Sequence, residues 1–158
     1  MKKIFLTGSS GMLGSDLNKI LKKKYKVINI SNTNKKIKFI NYSSTKSISK
    51  FINKYGIPDY FIHMGWGRML EPHSNYHIKE NYLNSKNLID IFFKNGLKYF
   101  IFIGTINEYG SCEGSIKEDY QSDNNLRNYE KGKIKFSTYG KKLSKKLQKN
   151  FVHIRLSN

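Results

Sequence analysis

The fold is decided by one stretch near the start of the chain, Ile4-Phe5-Leu6-Thr7-Gly8-Ser9-Ser10-Gly11-Met12-Leu13-Gly14. The apolar run predicts a buried strand, the glycines predict a tight turn, and the residues from Met12 onward have a helical pattern. Glycine lets the backbone turn sharply and approach a ligand, while the free N–H groups and positive end of the following helix attract an anion. We therefore interpret the stretch as a turn that holds the pyrophosphate of a dinucleotide, with a plain structural turn as the alternative.

The rest of the chain extends this pattern into an α/β fold. Short apolar runs alternate with longer amphipathic stretches, which is typical of βαβ units and a parallel sheet. We predict a Rossmann-type, doubly wound parallel sheet with helices on both faces, formed by residues 1–158 as one dinucleotide-binding domain. The predicted strands are residues 3–6, 26–30, 37–40, 60–63, 99–104 and 151–155. The predicted helices are residues 12–24, 45–54, 77–95 and 130–149.

Composition and charge narrow the class of protein. A hydrophobic fraction of 38% fits a globular domain, and the N-terminal apolar run is too short for a signal peptide or a membrane span. Cys112 is the single cysteine, so no internal disulfide is possible, and we expect a cytoplasmic protein. The net charge of +18 would suit a polyanion-binding face, but no nucleic-acid motif accompanies it. We interpret the lysines as a solvated surface whose field favours phosphorylated substrates, and we expect no specific nucleic-acid or membrane partner.

Three residues add chemistry to the glycine turn. Thr105 follows an apolar run, at the carboxyl end of a predicted strand. Tyr129 and Lys133 are four residues apart at the start of a predicted helix, so they share one face. A lysine ammonium there lowers the pKa of the phenol, which lets Tyr129 act as an acid or base in hydride chemistry, and Thr105 can bond the reacting oxygen. Each feature alone has a structural alternative, and their order along the chain favours the functional interpretation.

Together these motifs resemble the extended short-chain dehydrogenase/reductase family, which comprises nucleotide-sugar epimerases, dehydratases and ketoreductases. Residues 7–14 are similar to its TGxxGxxG cofactor turn, and residues 63–66 (His-Met-Gly-Trp) to the segment that lies along the cofactor. Asn81 matches an asparagine on the next helix. Residues 104–110 are similar to the Ser/Thr segment that ends in Tyr-Gly, and residues 155–158 to a stretch whose asparagine contacts substrate.

The resemblance implies a role for each matching residue. Tyr129 would exchange a proton with a nucleotide-linked sugar, Lys133 would also hold the nicotinamide ribose, and Thr105 would polarise the reacting oxygen. The implied cofactor contacts are Gly8, Ser10, Gly11, Met12, Leu13, Gly14, Asn32, Met64, Gly65, Trp66, Asn81, Tyr129 and Lys133. The implied substrate contacts are Thr105, Asn107 and Asn158, and no metal is implied.

Two comparisons with the family pattern limit which tyrosine exchanges the proton and which type of reaction is expected. Tyr139 also precedes a Gly-Lys-Lys sequence, but the residue four positions beyond it is Leu143, so we assign the proton exchange to Tyr129. The family's 4,6-dehydratases carry an Asp-Glu pair after the threonine, where this chain has Ile106 and Asn107. Neither can exchange a proton as a carboxylate does, so we favour 4-keto reduction or epimerisation over dehydration.

Cofactor choice and chain length remain open questions at this stage. The end of the second predicted strand has no carboxylate for the ribose hydroxyls of NAD, and Lys35-Lys36 could meet a 2′-phosphate, which favours NADP over NAD. The chain ends at Asn158, where family members continue into a C-terminal substrate domain. We expect a fragment or remnant, and a complementing chain, a deliberate truncation and a non-catalytic dinucleotide-binding module are the alternatives. A homodimer through the helices at 77–95 and 130–149 is possible.

Overall fold

Six parallel strands form one sheet in the computed structural model, counted over residues 1–34, 36–112, 114–120 and 125–157, which the structure describes. They are β1 (Lys3–Thr7), β2 (Lys26–Ser31), β3 (Lys38–Phe39), β4 (Tyr60–His63), β5 (Tyr99–Thr105) and β6 (Asn150–Leu156). Their order across the sheet is β3-β2-β1-β4-β5-β6. The chain changes direction across the sheet between β1 and β4, which opens a crevice beyond the carboxyl ends of these two strands. The predicted Rossmann-type α/β fold is confirmed.

The helices lie close to their predicted positions, with ends that differ by at most two residues. They are α1 (Met12–Lys22), α2 (Thr45–Tyr55), α3 (Leu83–Lys94) and α4 (Asn128–Leu147). A 3₁₀ helix, Ile106–Tyr109, follows β5. The predicted helix at 77–95 differs in kind, because it begins as a π-helix, His77–Tyr82, that runs directly into α3. The wider π turn holds an extra residue, a local distortion that hydrophobic periodicity does not reveal.

Local sequence explains where two of these helices begin and end. At the start of α2, the Ser44 hydroxyl accepts a hydrogen bond of 3.2 Å from the Ser47 N–H. Gly56 ends the same helix with a φ of +69°, which glycine adopts without strain. Helix α4 begins after the extended residue Arg127, two residues earlier than predicted, and ends where Gln148 turns to a φ of +53°.

The two faces of the sheet bury different side chains. Phenylalanines of β1, β4 and β5 form an aromatic core with α2, α3 and α4, in which Phe61 stacks on Phe100 with 4.9 Å between ring centres. On the other face, Ile4, Leu6 and Ile62 pack with α1. Helices therefore cover both faces, and within the described part of the chain three lie on one face and one on the other.

One edge of the sheet leaves apolar side chains in contact with solvent. Val152, Ile154 and Leu156 of β6 are between 36% and 43% exposed. They alternate along the strand, so they lie on one face, beside Ile101 and Ile103 of β5. No helix within the described residues is both long enough and apolar enough to cross a membrane.

Candidate functional site

The glycine turn between β1 and α1 is tightly packed at two glycines and open at the third. Gly8 has a φ of +76°, and a Cβ there would lie 2.8 Å from the backbone nitrogen of Gly65. A Cβ on Gly14 would lie 2.1 Å from the carbonyl oxygen of Gly8, so only glycine lets α1 approach the turn this closely. A Cβ on Gly11 would meet that oxygen at an ordinary 3.5 Å. The fold itself therefore requires Gly8 and Gly14, whereas it tolerates a side chain at Gly11.

A cleft of about 260 Å³ opens beyond this turn, at the crevice between β1 and β4. The residues lining it that the sequence predicts as cofactor contacts are Gly8, Ser10, Gly11, Asn32, Met64, Gly65, Trp66 and Asn81. Further lining residues that the sequence did not identify include Ser31, Thr33, Tyr42, Met69 and Tyr76. The cleft therefore gathers the turn after β1, the end of β2 and the loop after β4 around one space.

The predicted contacts Met12, Leu13 and Gly14 lie on α1 beside the cleft and do not line it. The side chains of Met12 and Leu13 are 81% and 55% exposed. Their backbone N–H groups belong to the first turn of α1, where a helix offers no carbonyl partner of its own. These two residues can therefore contribute backbone donors to an anion, while their side chains face solvent.

The hydroxyl of Thr7 joins the end of β1 to the loop after β4. Its Oγ1 accepts hydrogen bonds from the Met64 N–H, at 3.1 Å, and from the Gly65 N–H, at 3.0 Å. Both lone pairs are then occupied, so the hydroxyl hydrogen must be donated to Nδ1 of His63, 2.8 Å away. Thr7 thus fixes the backbone of the Met64-Gly65 wall of the cleft.

This assignment determines the hydrogen positions on His63. With Nδ1 accepting, Nε2 carries the hydrogen and donates it to the Ser85 hydroxyl, 2.8 Å away. Ser85 in turn donates to the carbonyl oxygen of Asn81, at 2.6 Å. Burial, together with the positive field of Lys133, lowers the pKa of His63 to about 3. His63 is therefore a neutral structural link between β4 and α3.

A second network holds the loop that follows Trp66. The indole N–H of Trp66 donates to Nδ1 of His77, at 3.1 Å, and the Asn81 amide nitrogen donates to the same atom, also at 3.1 Å. The hydrogen of His77 therefore lies on Nε2 and is donated to the Glu71 carbonyl oxygen, at 2.9 Å. Asn81 also bonds both backbone groups of Gly67. His77 was missed because the sequence does not show which residues the fold brings to its ring.

The structure brings the predicted pair Tyr129 and Lys133 together on α4. The Lys133 side chain is buried, its Nζ lies 5.4 Å from the Tyr129 ring centre, and it donates to the Ile103 carbonyl oxygen at 2.8 Å. The same Nζ lies 5.0 Å from the ring centres of Trp66 and Phe102. Burial lowers the pKa of Lys133 to about 8. Lys133 therefore lies between the β5 backbone and the Trp66 wall of the cleft.

Tyr129 is half-buried and does not line the cleft itself, but it contacts a residue that does. Its hydroxyl donates to the sulfur of Met69, a cleft residue, at 4.0 Å, and its ring packs edge-on to His77 with 5.3 Å between centres. Burial raises the pKa of Tyr129, and the carboxylates of Glu108 and Glu130 raise it further. The direction is opposite to the lowering that the lysine spacing predicts, because burial and negative charges dominate around the phenol.

Thr105 ends β5, and Asn107, a predicted substrate contact, is exposed in the 3₁₀ helix that follows. The Thr105 hydroxyl accepts from the Asn107 N–H at 3.3 Å, and the Glu108 carboxylate accepts from the Thr105 N–H at 2.9 Å. Glu108 belongs to the segment that resembles the family, but its cap on Thr105 was not predicted, although an acid three residues after a threonine is the signal for it. Asn158, the third predicted substrate contact, lies outside the described residues.

The rival tyrosine, Tyr139, has a structural partner. Its hydroxyl donates to Asp90 of α3, and Lys86 lies over its ring with 4.8 Å between Nζ and the ring centre. Burial and the Asp90 carboxylate raise the pKa of Tyr139 to about 12. Tyr139 therefore joins α3 to α4.

The order of these features along the chain agrees with a known family. The model of the NAD dependent epimerase/dehydratase family matches residues 4–158. The chain belongs to this family. A search of the curated proteins finds no match to it. The glycine turn and the residues that line the cleft all lie within the matched residues.

Solved structures with the same fold include a nucleotide-sugar epimerase and a nucleotide-sugar reductase. UDP-glucose 4-epimerase from Brucella ovis, in complex with NAD, is 17% identical with a TM-score of 0.83, over 100% of this chain and 52% of that one. GDP-mannoheptose C4 reductase from Campylobacter jejuni, with NADP bound, is 20% identical with a TM-score of 0.81, over 99% of this chain and 51% of that one. The chain thus spans about half the length of these structures.

Proposed function

We propose that this chain is the NAD(P)-binding domain of an oxidoreductase or epimerase that acts on a nucleotide-linked sugar. The observation that carries the proposal is the cleft at the β1–β4 crevice, because the glycine turn, the end of β2 and the Met64-Gly65 backbone all face it. The open position at Gly11 and the free N–H groups at the start of α1 fit a pyrophosphate. When bound, a nicotinamide dinucleotide supplies a hydride donor or acceptor.

Residues beside the cleft support acid–base chemistry on a sugar oxygen. Tyr129 is the proposed proton donor and acceptor, since its hydroxyl reaches the cleft residue Met69. Lys133 is the proposed partner of the nicotinamide ribose, because its ammonium lies beneath Trp66. Thr105 is proposed to bond the reacting oxygen from the end of β5. General acid–base catalysis needs an acid held in place, here Tyr129, next to a hydrogen-bond donor held in place, here Thr105.

The side chains after Thr105 favour keto reduction or epimerisation over dehydration. Ile106 is 40% exposed and has no ionisable group, and Asn107 cannot act as a carboxylate base. The nearest acid, Glu108, accepts from the Thr105 N–H and lies beside His153 and Arg155, so its oxygens are already engaged. No carboxylate at these positions is therefore placed for an elimination.

We favour NADP over NAD as the cofactor. The Ser31 hydroxyl accepts from the Thr33 N–H at 3.1 Å and from the Asn34 N–H at 2.9 Å, which makes a polar turn at the end of β2 without a carboxylate. Lys36 is exposed beside this turn and can meet a 2′-phosphate, while Lys35 lies outside the described residues. The proposal rests on the charge of this turn.

A binding module without catalysis is the second candidate function. The cleft gathers predicted cofactor contacts, whereas Thr105, Tyr129 and Lys133 do not line it. The exposed apolar residues of β6 are suited to cover by a complementing polypeptide that would carry the sugar site. Loss of turnover in Tyr129→Phe with dinucleotide binding retained would favour the enzyme, and unchanged turnover would remove Tyr129 from the mechanism.

The first experiment is a fluorescence titration of the chain with NADPH and NADH. Gly11→Val should abolish saturable binding, because the valine side chain would occupy the position proposed for the pyrophosphate. The chain should remain folded, because the protein itself leaves space at Gly11. Lys36→Ala should weaken NADPH and spare NADH, and Lys22→Ala, at the other end of α1, is the matched control. A folded chain that binds neither nucleotide would refute the proposal.

A further inference from the structure

Glu108 is a buried acid for which the proposed chemistry has no role. It is 2% exposed and lies in the 3₁₀ helix after β5. Its carboxylate accepts from the Thr105 N–H at 2.9 Å, and lies 3.2 Å from Nε2 of His153 and 3.5 Å from Nε of Arg155. A Cβ on Gly104 would come within 2.3 Å of both Glu108 Oε1 and His153 Nε2. The glycine thus makes room for the acid and its partner.

The contact with Glu108 determines which hydrogen-bonding groups of Thr105 are left for a ligand. The two residues cap each other, since the Thr105 hydroxyl accepts from the Asn107 N–H while Glu108 accepts from the Thr105 N–H. Among the described residues, no acceptor bonds the hydroxyl hydrogen of Thr105. That hydrogen is therefore free to be donated to an oxygen of a bound substrate.

The Glu108 carboxylate also lies on the far side of the Phe102 ring from the proposed acid–base pair, Tyr129 and Lys133. The Phe102 ring separates them: Lys133 Nζ lies 5.0 Å from its centre, and His153, the partner of Glu108, stacks on it at 5.3 Å. The negative charge of Glu108 raises the pKa of Lys133 and that of Tyr129. Burial by itself would raise the pKa of Glu108, but the hydrogen bond and field of His153 and the Thr105 N–H outweigh it and lower that pKa. Glu108 is therefore a persistent negative charge.

We propose that Glu108 is a positioning residue that keeps the Thr105 hydroxyl hydrogen free for a substrate oxygen and sets a buried negative charge against the Tyr129–Lys133 pair. The inference rests on the function proposed above. A negative charge at this place keeps the phenol of Tyr129 protonated. In a keto reduction, the keto carbon would take a hydride from a bound reduced nicotinamide, the keto oxygen would take the phenol proton, and the phenolate would recover a proton from solvent. Glu108 thus keeps Tyr129 in the protonated form that donates to a keto oxygen.

The test is the titration of Tyr129 in the ligand-free chain, followed by NMR of protein labelled with ¹³C in the tyrosine rings. Tyr129→Phe assigns the signal. Glu108→Gln keeps an oxygen for the Thr105 N–H and removes the charge, so the titration of Tyr129 should move to lower pH. Glu108→Asp keeps the charge on a shorter side chain and should stay nearer to wild type. Glu80→Gln removes an exposed charge elsewhere and should leave the titration unchanged.

The other ionisable groups around Tyr129 do not change between these variants. They are Lys133, His77, and the pair Arg127 and Glu130, in which the Arg127 guanidinium binds the buried Glu130 carboxylate. If Glu108→Gln folds and Tyr129 titrates as in wild type, the proposal is overturned. If that variant does not fold, Arg155→Gln removes a positive neighbour of Glu108 and should move the titration to higher pH. An unchanged titration there overturns the proposal equally. Since neither measurement uses a nucleotide, failure here is distinct from failure to bind NADPH or NADH.

Discussion

Replacing Thr7 by valine tests the link between the glycine turn and the cleft wall. Valine has nearly the shape of threonine, so the change removes a fully buried hydroxyl and little else. The N–H groups of Met64 and Gly65 lose their acceptor, and Nδ1 of His63 loses its donor. An unpaired buried polar group costs about 1–3 kcal/mol, and since Met64 and Gly65 are only half-buried we expect about 3 kcal/mol in total. For a chain of this length the melting temperature should fall by about 6–12 °C.

The matched control for this prediction is Thr7→Ser, which keeps the hydroxyl and its three hydrogen bonds. It removes one buried methyl group and should cost about 1 kcal/mol. Thermal and urea unfolding should therefore rank wild type above Thr7→Ser, and Thr7→Ser above Thr7→Val. A Thr7→Val chain as stable as Thr7→Ser would refute the reasoning, because it would show that the hydroxyl does not satisfy the loop after β4.

Three further predictions concern the packing and protonation of the same region. Gly14→Ala should lose about 2 kcal/mol in urea unfolding because its Cβ would overlap the Gly8 carbonyl, whereas Gly11→Ala should lose only about 0.5 kcal/mol. His63 is neutral when folded, with a pKa of about 3, and binds a proton when unfolded below about pH 6.5, so stability should fall as pH falls through this window. Its share is about 1.4 kcal/mol per pH unit, and a His63→Gln chain with the same pH slope as wild type would contradict it. Lys133→Met removes a desolvated ammonium and should raise stability at pH 7 by about 1 kcal/mol, measured by the urea midpoint, and a large loss would show that the bond to the β5 backbone dominates.

The glycine turn was predictable because its physics is local. The strand, the turn and the helix start are consecutive in sequence, and the requirement for glycine follows from the closeness of Gly14 to the Gly8 carbonyl oxygen. The same holds for Tyr129 and Lys133, whose spacing of four residues on a helix brings them together without knowledge of the tertiary fold. Contacts between residues of one helix or one turn can be predicted from a single sequence, because the spacing along the chain determines them.

The electrostatics of the site were not predictable in the same way. Spacing alone favours a lowered pKa for Tyr129, but the phenol is also buried, and the negative charges of Glu108 and Glu130 act on it, so its pKa is raised. Glu108 lies on another element, the 3₁₀ helix after β5. The sign of a pKa shift depends on every charge around the group, and those charges come from distant parts of the chain.

The two buried histidines show what tertiary structure adds to a residue type. His63 has no ligand partner at metal-binding spacing, and His77 follows His73 by four residues, so neither position shows its hydrogen-bonding role in the sequence. In the fold their roles follow from which neighbouring groups can only donate. The Thr7 hydroxyl already accepts two hydrogen bonds, so it donates to Nδ1 of His63. The indole N–H of Trp66 cannot accept, so it donates to Nδ1 of His77. Each Nε2 then points its hydrogen at a different element, one toward α3 and one toward the loop before the π-helix. The cleft backbone between them is thus held from both sides by donors and acceptors whose directions are fixed, which is the preorganisation that a tightly bound dinucleotide requires.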